Sequence, residues 1–147
     1  MRMTGSNQRT LFIIKPDAVS RGLTGAILGR VEADGFRLLG LSMVRLSPEK
    51  ARRFYYVHEG KPFLDSLVDF MSSGPVVACA LERDDAVRRL REIVGATDPR
   101  QAAPGTIRKD FALDKEKNSV HASDAAETAR WELGFFTENG LLSIPGK

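Results

Sequence analysis

Two short apolar runs, at residues 10–14 and 76–81, place the strongest constraint on the fold of this chain. The first, TLFII, is rich in β-branched and aromatic residues and stops at Lys15-Pro16. Such a run predicts a buried strand, and the second run, VVACAL, predicts another strand. Lys15 is therefore expected at the end of the first strand.

A further strand is predicted at residues 36–46, between these two runs. Successive side chains of a strand point to opposite faces, and both faces of this one are apolar in its middle. The apolar residues are Phe36, Leu38 and Val44 on one face and Leu39, Leu41 and Met43 on the other. A strand apolar on both sides is covered on both sides, so one face is expected to meet another subunit.

Apolar residues at helical spacing predict helices between and after the strands. The predicted helices are one that ends at Asp34-Gly35, one that begins at Ser47-Pro48, one at 62–71, one between Asp84-Asp85 and Gly95, and one at 124–133. Tyr55 is expected at a helix end, and Phe63, Leu67 and Phe70 on the inner face of the third helix. Ser123 is expected to cap the last helix, because serine is a favoured N-cap residue.

Residues 96–118 are rich in proline, glycine and charge and predict a long irregular loop. A brief strand at 119–121 follows, so His121 is expected at a strand-to-helix junction. The order β-α-β-α-α-β-α-loop-β-α predicts an α+β fold, a ferredoxin-like α/β sandwich whose four-stranded antiparallel sheet is covered by helices. The 147 residues predict a single domain, with residues 1–8 flexible and residues 137–147 forming a surface tail.

The composition favours small anionic ligands over nucleic acid or a membrane. The formal net charge is +3 and acidic residues are interleaved with basic ones, whereas non-specific nucleic-acid binders concentrate lysine and arginine on one stripe. No apolar run reaches membrane-spanning length, and residues 1–9 lack the apolar stretch of a secretory signal. The single cysteine, Cys79, allows no internal disulfide, so we expect a reducing, cytoplasmic compartment.

The sequence lacks the familiar phosphate-binding and zinc-binding motifs. Gly22, Gly25 and Gly29 have the spacing of neither a P-loop nor a dinucleotide-binding fingerprint. The two histidines are far apart, and no cluster of cysteine and histidine offers zinc ligands. What remains is a set of isolated cations, which by position alone are more often surface charges than ligand-binding residues: Lys15, Arg91 and Arg108.

His121 is the candidate nucleophile. An imidazole is largely neutral near pH 7 and both takes up and releases a phosphoryl group readily. It is flanked by Asn118, Ser119, Ser123 and Asp124, a polar strand end that opens onto a helix N-terminus and so favours phosphate. Position alone leaves a structural histidine as an equal alternative.

Four segments resemble the signature segments of nucleoside diphosphate kinases, in the right order and at compatible spacing. They are Lys15-Pro16-Asp17, Ser73-Gly74-Pro75, the PGTIR segment that ends at Arg108, and the NSVHASD segment from Asn118 to Asp124. The resemblance covers residues 9–136, and the block around His121 is highly specific to the family. It implies a ping-pong kinase in which a nucleoside triphosphate phosphorylates His121 and a second nucleotide, a diphosphate, then takes the phosphate. Mg²⁺ would arrive on the nucleotide.

The resemblance also implies a role for each matching residue. His121 would be the nucleophile, with Ser123 and Glu132 orienting the imidazole, and Lys15 and Tyr55 would assist catalysis. The residues that match positions holding the phosphates and sugar are Lys15, Tyr55, Arg91, Thr97, Arg108 and Asn118, and those flanking the base are Phe63 and Leu67. No residue is implied as a direct metal ligand, Asp124 acting at most through water. Because every base has a π-face, stacking on Phe63 predicts broad nucleotide specificity.

Two positions depart from the family pattern. Ala122 follows the histidine where many members carry glycine, and Lys109 stands where a small residue is common. An alanine with an ordinary φ is tolerated, so we expect activity to survive.

Two other classes of function are compatible with such a fold. A ferredoxin-like sheet can stack single-stranded bases on exposed aromatic residues, but Phe12 is the only aromatic residue in the core of the first and third strands. The second class is a catalytically silent oligomeric scaffold. Such a protein would keep the fold but would not need the set of His121, Lys15, Arg91 and Arg108. The expectation is therefore a homo-oligomeric enzyme, a dimer-based tetramer or hexamer that binds nucleoside di- and triphosphates.

Overall fold

A computed structural model describes residues 7–145, which form one four-stranded antiparallel sheet with helices on both faces. The strands are β1 (Asn7–Ile14), β2 (Arg37–Val44), β3 (Val76–Asp84) and β4 (Val120–Ala122). Their order across the sheet is β2-β3-β1-β4, and each neighbouring pair is antiparallel. The predicted ferredoxin-like α+β fold is confirmed.

Seven helices connect and follow these strands within residues 7–145. They are α1 (Pro16–Ser20), α2 (Thr24–Ala33), α3 (Pro48–Phe54), α4 (Leu64–Met71), α5 (Ala86–Val94), α6 (Ile107–Phe111) and α7 (Ala126–Glu138). The segment 96–118, predicted to be irregular, contains α6 and a 3-10 turn at Pro99–Gln101. Side-chain caps explain both, because Asp98 and Thr106 accept hydrogen bonds from the free amides of Arg100 and Lys109.

The central strand β1 separates two apolar cores. Leu11 and Ile13 pack with residues of α3, α4 and α7, whereas Phe12 and Ile14 pack with residues of α2 and α5. All four side chains are fully buried, as expected of a strand covered on both faces. Because Phe12 is buried, this strand offers no exposed aromatic residue on which a nucleic acid could stack.

The edge strand β2 differs from its prediction because of a β-bulge. The pairing with β3 shifts between Leu38 and Gly40, so side chains beyond the bulge change face. Leu38 packs in the core beneath α2 and α5, but Val44 packs in the opposite core, and their predicted common face is wrong. Leu41 and Met43 are 52% and 60% exposed. They form an unpartnered apolar strip on the edge strand.

The ends of the described chain are more ordered than the sequence indicates. Asn7 and Gln8 belong to β1, and residues 1–6 and 146–147, part of the predicted flexible end and tail, lie outside the described residues. The predicted surface tail is wrong at Leu141 and Leu142, which are buried. The segment lies against β2, where a Cβ on Gly40 would collide with a backbone carbonyl of residue 143.

Of three local predictions, the Ser47 cap is confirmed, whereas the Ser123 cap and the inward placement of Phe63 are wrong. Ser47 caps α3 by accepting a hydrogen bond from the Lys50 amide at 3.1 Å. Ser123 does not cap α7, whose N-cap is Ala125, because its hydroxyl donates to Glu132 instead. Phe63 is 47% exposed rather than on an inner face, because it immediately precedes α4 instead of lying within it.

Candidate active site

His121 lies in the middle of β4, at the edge of the sheet beside β1. Its neighbours Val120 and Ala122 point into the core beneath α5, so the imidazole points to the opposite face. There its ring meets the rings of Phe54 and Tyr55 edge-on, with centroids 5.3 and 6.0 Å away. The side chain is 16% exposed, so the imidazole is confined but reachable from solvent.

A carboxylate on α7 fixes the orientation of this imidazole. Nε2 of His121 lies 2.9 Å from Oε1 of Glu132, and the Ser123 hydroxyl donates to the same oxygen at 2.7 Å. Because a carboxylate accepts hydrogen bonds, it holds the imidazole proton on Nε2. The lone pair of Nδ1 is then free to attack an electrophile.

Three basic residues gather around β4. The backbone carbonyls of residues 119, 120 and 122 accept hydrogen bonds from the Lys15 amide, the Arg108 guanidinium and the Arg91 guanidinium, at 2.8, 2.8 and 3.4 Å. The three residues come from the end of β1, from α6 and from α5. The fold therefore brings together cations that are 76 and 17 positions apart in sequence.

Lys15 is buried without a carboxylate partner among the described ion pairs. Its Nζ donates to Oδ1 of Asn118 at 2.8 Å. Burial and the neighbouring charge of Arg108 lower the pKa of Lys15 to about 7. An ammonium group in this setting gains stability when an anion arrives.

Arg108 is likewise buried without a carboxylate partner among the described ion pairs. It donates to the carbonyls of Gly95 and Val120 at 3.1 and 2.8 Å, and its Nε, also buried, has no hydrogen-bond partner among the described residues. Burial and the neighbouring Arg91 lower the pKa of Arg108 to about 10. Two buried cations held by neutral carbonyls make a strong site for phosphate.

The hydroxyl of Tyr55 is a further unused donor. It is buried and finds no hydrogen-bond partner within residues 7–145. Burial, followed by the negative charge of Glu132, raises the pKa of this phenol, so the hydroxyl stays protonated. Buried hydroxyl groups normally have partners, and an orphan beside His121 indicates room for a ligand oxygen.

Asn118 links the loop before β4 to Lys15. Its amide nitrogen donates to the carbonyls of Thr97 and Lys115 at 3.3 and 2.9 Å, while its oxygen accepts from Lys15. The Thr97 side chain is exposed. Arg91 differs from the other two cations because it pairs with Asp124 at 2.8 Å, and the side chain of Asp124 is 75% exposed.

The outer part of the site is aromatic. The ring of His58 lies 6.1 Å from that of Tyr55 and 5.1 Å from that of Phe63, which extends the aromatic wall from His121 to the surface. Leu67 is buried in the core below. The Ser66 hydroxyl on α4 donates to the carboxylate of Glu116, in the loop before β4, at 3.1 Å.

Comparison with known proteins agrees with this geometry. Residues 8–140 match the family model described as nucleoside diphosphate kinase. The chain belongs to the nucleoside diphosphate kinase family. It is therefore a phosphotransferase that acts on nucleoside diphosphates.

Curated members of the family are similar over almost their whole length. The nucleoside diphosphate kinase of Syntrophotalea carbinolica is 54% identical over 129 residues, which cover 88% of this chain and 94% of that protein. That of Aquifex aeolicus is 53% identical over 131 residues, covering 87% and 92%. The match to the family model, over residues 8–140, spans every residue of the site described above.

Solved structures of family members share the fold. A crystal form of the Aquifex aeolicus nucleoside diphosphate kinase gives a TM-score of 0.86 at 52% identity, with 88% of this chain and 94% of that one covered. The Halobacterium salinarum enzyme, solved in complex with CDP, gives 0.88 at 42% identity, with 93% and 91% covered.

Two observations concern membranes and metals. None of the helices in residues 7–145 combines the length and apolar character needed to cross a bilayer. Over the same residues, no three side chains of His, Cys, Asp or Glu are placed to hold a metal ion together.

Two residues that affect this site could not be recognised from the sequence. Phe54 packs its ring against His121, and the negative charge of Glu116, in the loop before β4, acts to raise the pKa of Lys15. Nothing in the local sequence shows that the imidazole lies against Phe54. The contact of Glu116 with Ser66 joins residues 50 positions apart, which no local pattern reveals.

Proton uptake is expected when this chain binds a nucleotide above pH 7. The pKa of Lys15 in the free protein is about 7, and phosphate oxygens beside the amine favour its charged form and raise that pKa. Lys15 is mostly neutral at pH 8 and must gain a proton on binding, so affinity falls as pH rises above 7. Calorimetry of ADP binding at pH 8, in buffers of different ionisation enthalpy, measures this uptake. Lys15→Met should abolish it, and a binding enthalpy independent of buffer would contradict it.

Proposed function

We propose that this chain moves the terminal phosphate of a nucleoside triphosphate to a nucleoside diphosphate in two half-reactions, with His121 as the temporary carrier. One observation supports this above the others. The imidazole is held through Nε2 by Glu132 at 2.9 Å, which leaves Nδ1 as the free nitrogen. Cations without carboxylate partners lie around the same strand, as transfer of a phosphoryl group requires.

In the first half-reaction, the lone pair of His121 Nδ1 forms a bond to the terminal phosphorus. The bond from phosphorus to the bridging oxygen breaks, and the nucleoside diphosphate leaves with that oxygen and its electron pair. The imidazole becomes positively charged and keeps its proton on Nε2, where the Glu132 carboxylate stabilises it. The second half-reaction is the reverse, with a different diphosphate as the acceptor.

Each of the other site residues has a role in this proposal. Lys15, Arg108 and Arg91 neutralise the oxygens of the phosphate chain, and Tyr55 donates its free hydroxyl to the phosphate in transfer. Asn118 and Thr97 hold the sugar and inner phosphates, and Ser123 supports Glu132. The side chains that flank the base are Phe63 and Leu67.

Mg²⁺ enters the proposal as part of the substrate, bridging the oxygens of the nucleotide's own phosphates. Asp124 is the carboxylate closest in sequence to His121, and its side chain is exposed while it pairs with Arg91. We assign Asp124 at most a contact with the metal through water.

Broad base specificity is part of the same proposal. Phe63 is 47% exposed at the outer end of the aromatic wall, and stacking on an aromatic face does not distinguish one base from another. The cytoplasm is the proposed location, since a free buried thiol such as Cys79 persists in a reducing compartment.

Isotope exchange tests the two-step mechanism directly. In the absence of any other nucleotide, label should pass from ADP into ATP, because the first half-reaction and its reverse need only this pair. Initial rates with two different nucleotides should give parallel double-reciprocal plots. Intersecting plots, together with the absence of exchange, would instead indicate direct transfer in a ternary complex.

We also propose a homodimer as the minimal assembly, with tetramers or hexamers built from it. The apolar strip of Leu41 and Met43 on the edge strand β2 supports this, because an exposed edge strand offers both apolar side chains and unpaired backbone groups. Sedimentation at micromolar concentration should find no monomer, and Met43→Glu should produce one. A wild-type chain that sediments as a monomer at that concentration would be inconsistent with the proposal.

A further inference from the structure

The guanidinium of Arg21, at the end of α1, contacts three segments of the chain. Its Nε donates to the backbone carbonyl of Asp17 at 3.0 Å. Its Nη2 donates to the Asp17 carboxylate at 3.1 Å and to the carbonyl of Phe111 at 2.6 Å, and it lies 3.5 Å from the hydroxyl of Ser119. A planar fork of donors can satisfy acceptors from several segments at once.

Each of these three segments carries part of the active site. Asp17 lies in α1, which begins directly after Lys15. Phe111 is the last residue of α6, the helix that carries Arg108. Ser119 follows Asn118 and leads into β4, where His121 is the middle residue. Arg21 is therefore placed to set the distance between the two buried cations and the nucleophile's strand.

Ser119 has a backbone conformation that needs such support. Its φ is +75°, in the left-handed region that side chains other than glycine adopt at a cost. The residue is fully buried, and its carbonyl accepts the Lys15 amide hydrogen bond at 2.8 Å. A strained junction of this kind persists only when its surroundings hold it in place.

The Asp17 carboxyl is a buried group that depends on the charge of Arg21. The Asp17 side chain is 3% exposed, and Arg21 makes its one ion pair within the described residues. Burial raises the pKa of Asp17, while Arg21, Lys15 and the Ser119 amide act in the opposite direction. The Ser119 amide falls short of a hydrogen bond to Asp17, whose Oδ1 has no partner among residues 7–145.

We propose that Arg21 is a positioning residue for phosphoryl transfer, because its guanidinium ties α1, the end of α6 and the Ser119 turn into one rigid frame. The inference rests on the proposed function of His121 as phosphate carrier. Arg21 acts through the placement of Lys15, Arg108 and His121, and it does not touch the nucleotide.

Single-turnover phosphorylation by ATP and Mg²⁺ tests this, since the amplitude reports the fraction of competent protein and the rate constant reports the placement of the reacting groups. In Arg21→Met we expect the rate constant at saturating ATP to fall about tenfold to a hundredfold, the loss that a displacement of about 1 Å produces. The amplitude should stay near that of the wild type. Arg45→Met is the matched control, because Arg45 is exposed and donates to one backbone carbonyl, that of Ser73.

A second substitution tests the role of the Ser119 turn. Glycine adopts a positive φ without strain, so Ser119→Gly added to Arg21→Met should recover a large part of the rate constant. A loss of amplitude with an unchanged rate constant in Arg21→Met would mean that Arg21 only stabilises the fold, and the proposal would be wrong. An unchanged rate constant and amplitude would also overturn it, as would a double variant no faster than Arg21→Met. A wild-type chain that forms no phosphoenzyme would instead overturn the proposed function.

Discussion

Replacing His121 by alanine is expected to reduce nucleotide turnover by about four orders of magnitude or more, the scale of loss when a covalent nucleophile is removed. Nδ1 of His121 is the free nitrogen beside the cations. Within the described part of the chain, no other nucleophile is oriented by the hydrogen bonds of Glu132 and Ser123. The measurement is kcat with ATP and a second nucleoside diphosphate, after a purification that excludes the host's own kinase. Melting should change little, because the imidazole lies at the rim of the core.

The matched control is His58, the other histidine of the chain. Its ring stacks on that of Tyr55 at 6.1 Å and meets that of Phe63 edge-on at 5.1 Å. His58→Ala should retain turnover within about tenfold, since it removes only an outer aromatic contact. Comparable losses in the two variants would argue that His121 has a structural rather than a chemical role.

Arg108→Met is expected to reduce kcat about a hundredfold to a thousandfold, the typical loss when a donor to the transition state is removed. Arg108 is buried, holds the carbonyls of Gly95 and Val120, and has an unused Nε. Arg108→Lys should recover little activity, because an ammonium group cannot bridge both carbonyls and still face a phosphate. The measurement is the rate of phosphoenzyme formation at saturating ATP.

The stability of the Arg108→Met variant separates the two roles of this side chain. The pKa of Arg108 falls to about 10 chiefly through burial, so the charge is held at a cost that methionine removes. Removing this cost stabilises the variant and offsets part of the loss of two hydrogen bonds. The free energy of unfolding should therefore change by less than the activation free energy of phosphoryl transfer, which rises by about 3–4 kcal/mol. A variant that melts far earlier yet keeps its rate constant would contradict the assignment of Arg108 to catalysis.

The four strands and five of the seven helices in residues 7–145 could be predicted from sequence because short-range rules determine them, whereas the five-residue helices α1 and α6 were not predicted. The apolar run before Lys15 predicted β1, and the Ser47 cap followed from a hydrogen bond to an amide three residues away. The family resemblance named the site residues, and the fold places the three cations around β4.

The remaining features depend on contacts between distant residues. Ser123 has the local pattern of an N-cap, but Glu132, two turns along α7, competes for its hydroxyl and also binds His121. The bulge in β2 depends on pairing with β3, and the burial of Leu141 depends on its packing in the core that contains Leu11 and Ile13. The orphan hydroxyl of Tyr55 is visible only when all of its neighbours are known.

Labelling with γ-labelled ATP and Mg²⁺ tests the central claim most directly. The account predicts a stoichiometric label on the protein that is stable in base, labile in acid, located on His121 by peptide mapping, and released by any nucleoside diphosphate. Label that survives acid, that maps to another residue, or that is absent while turnover continues would contradict it.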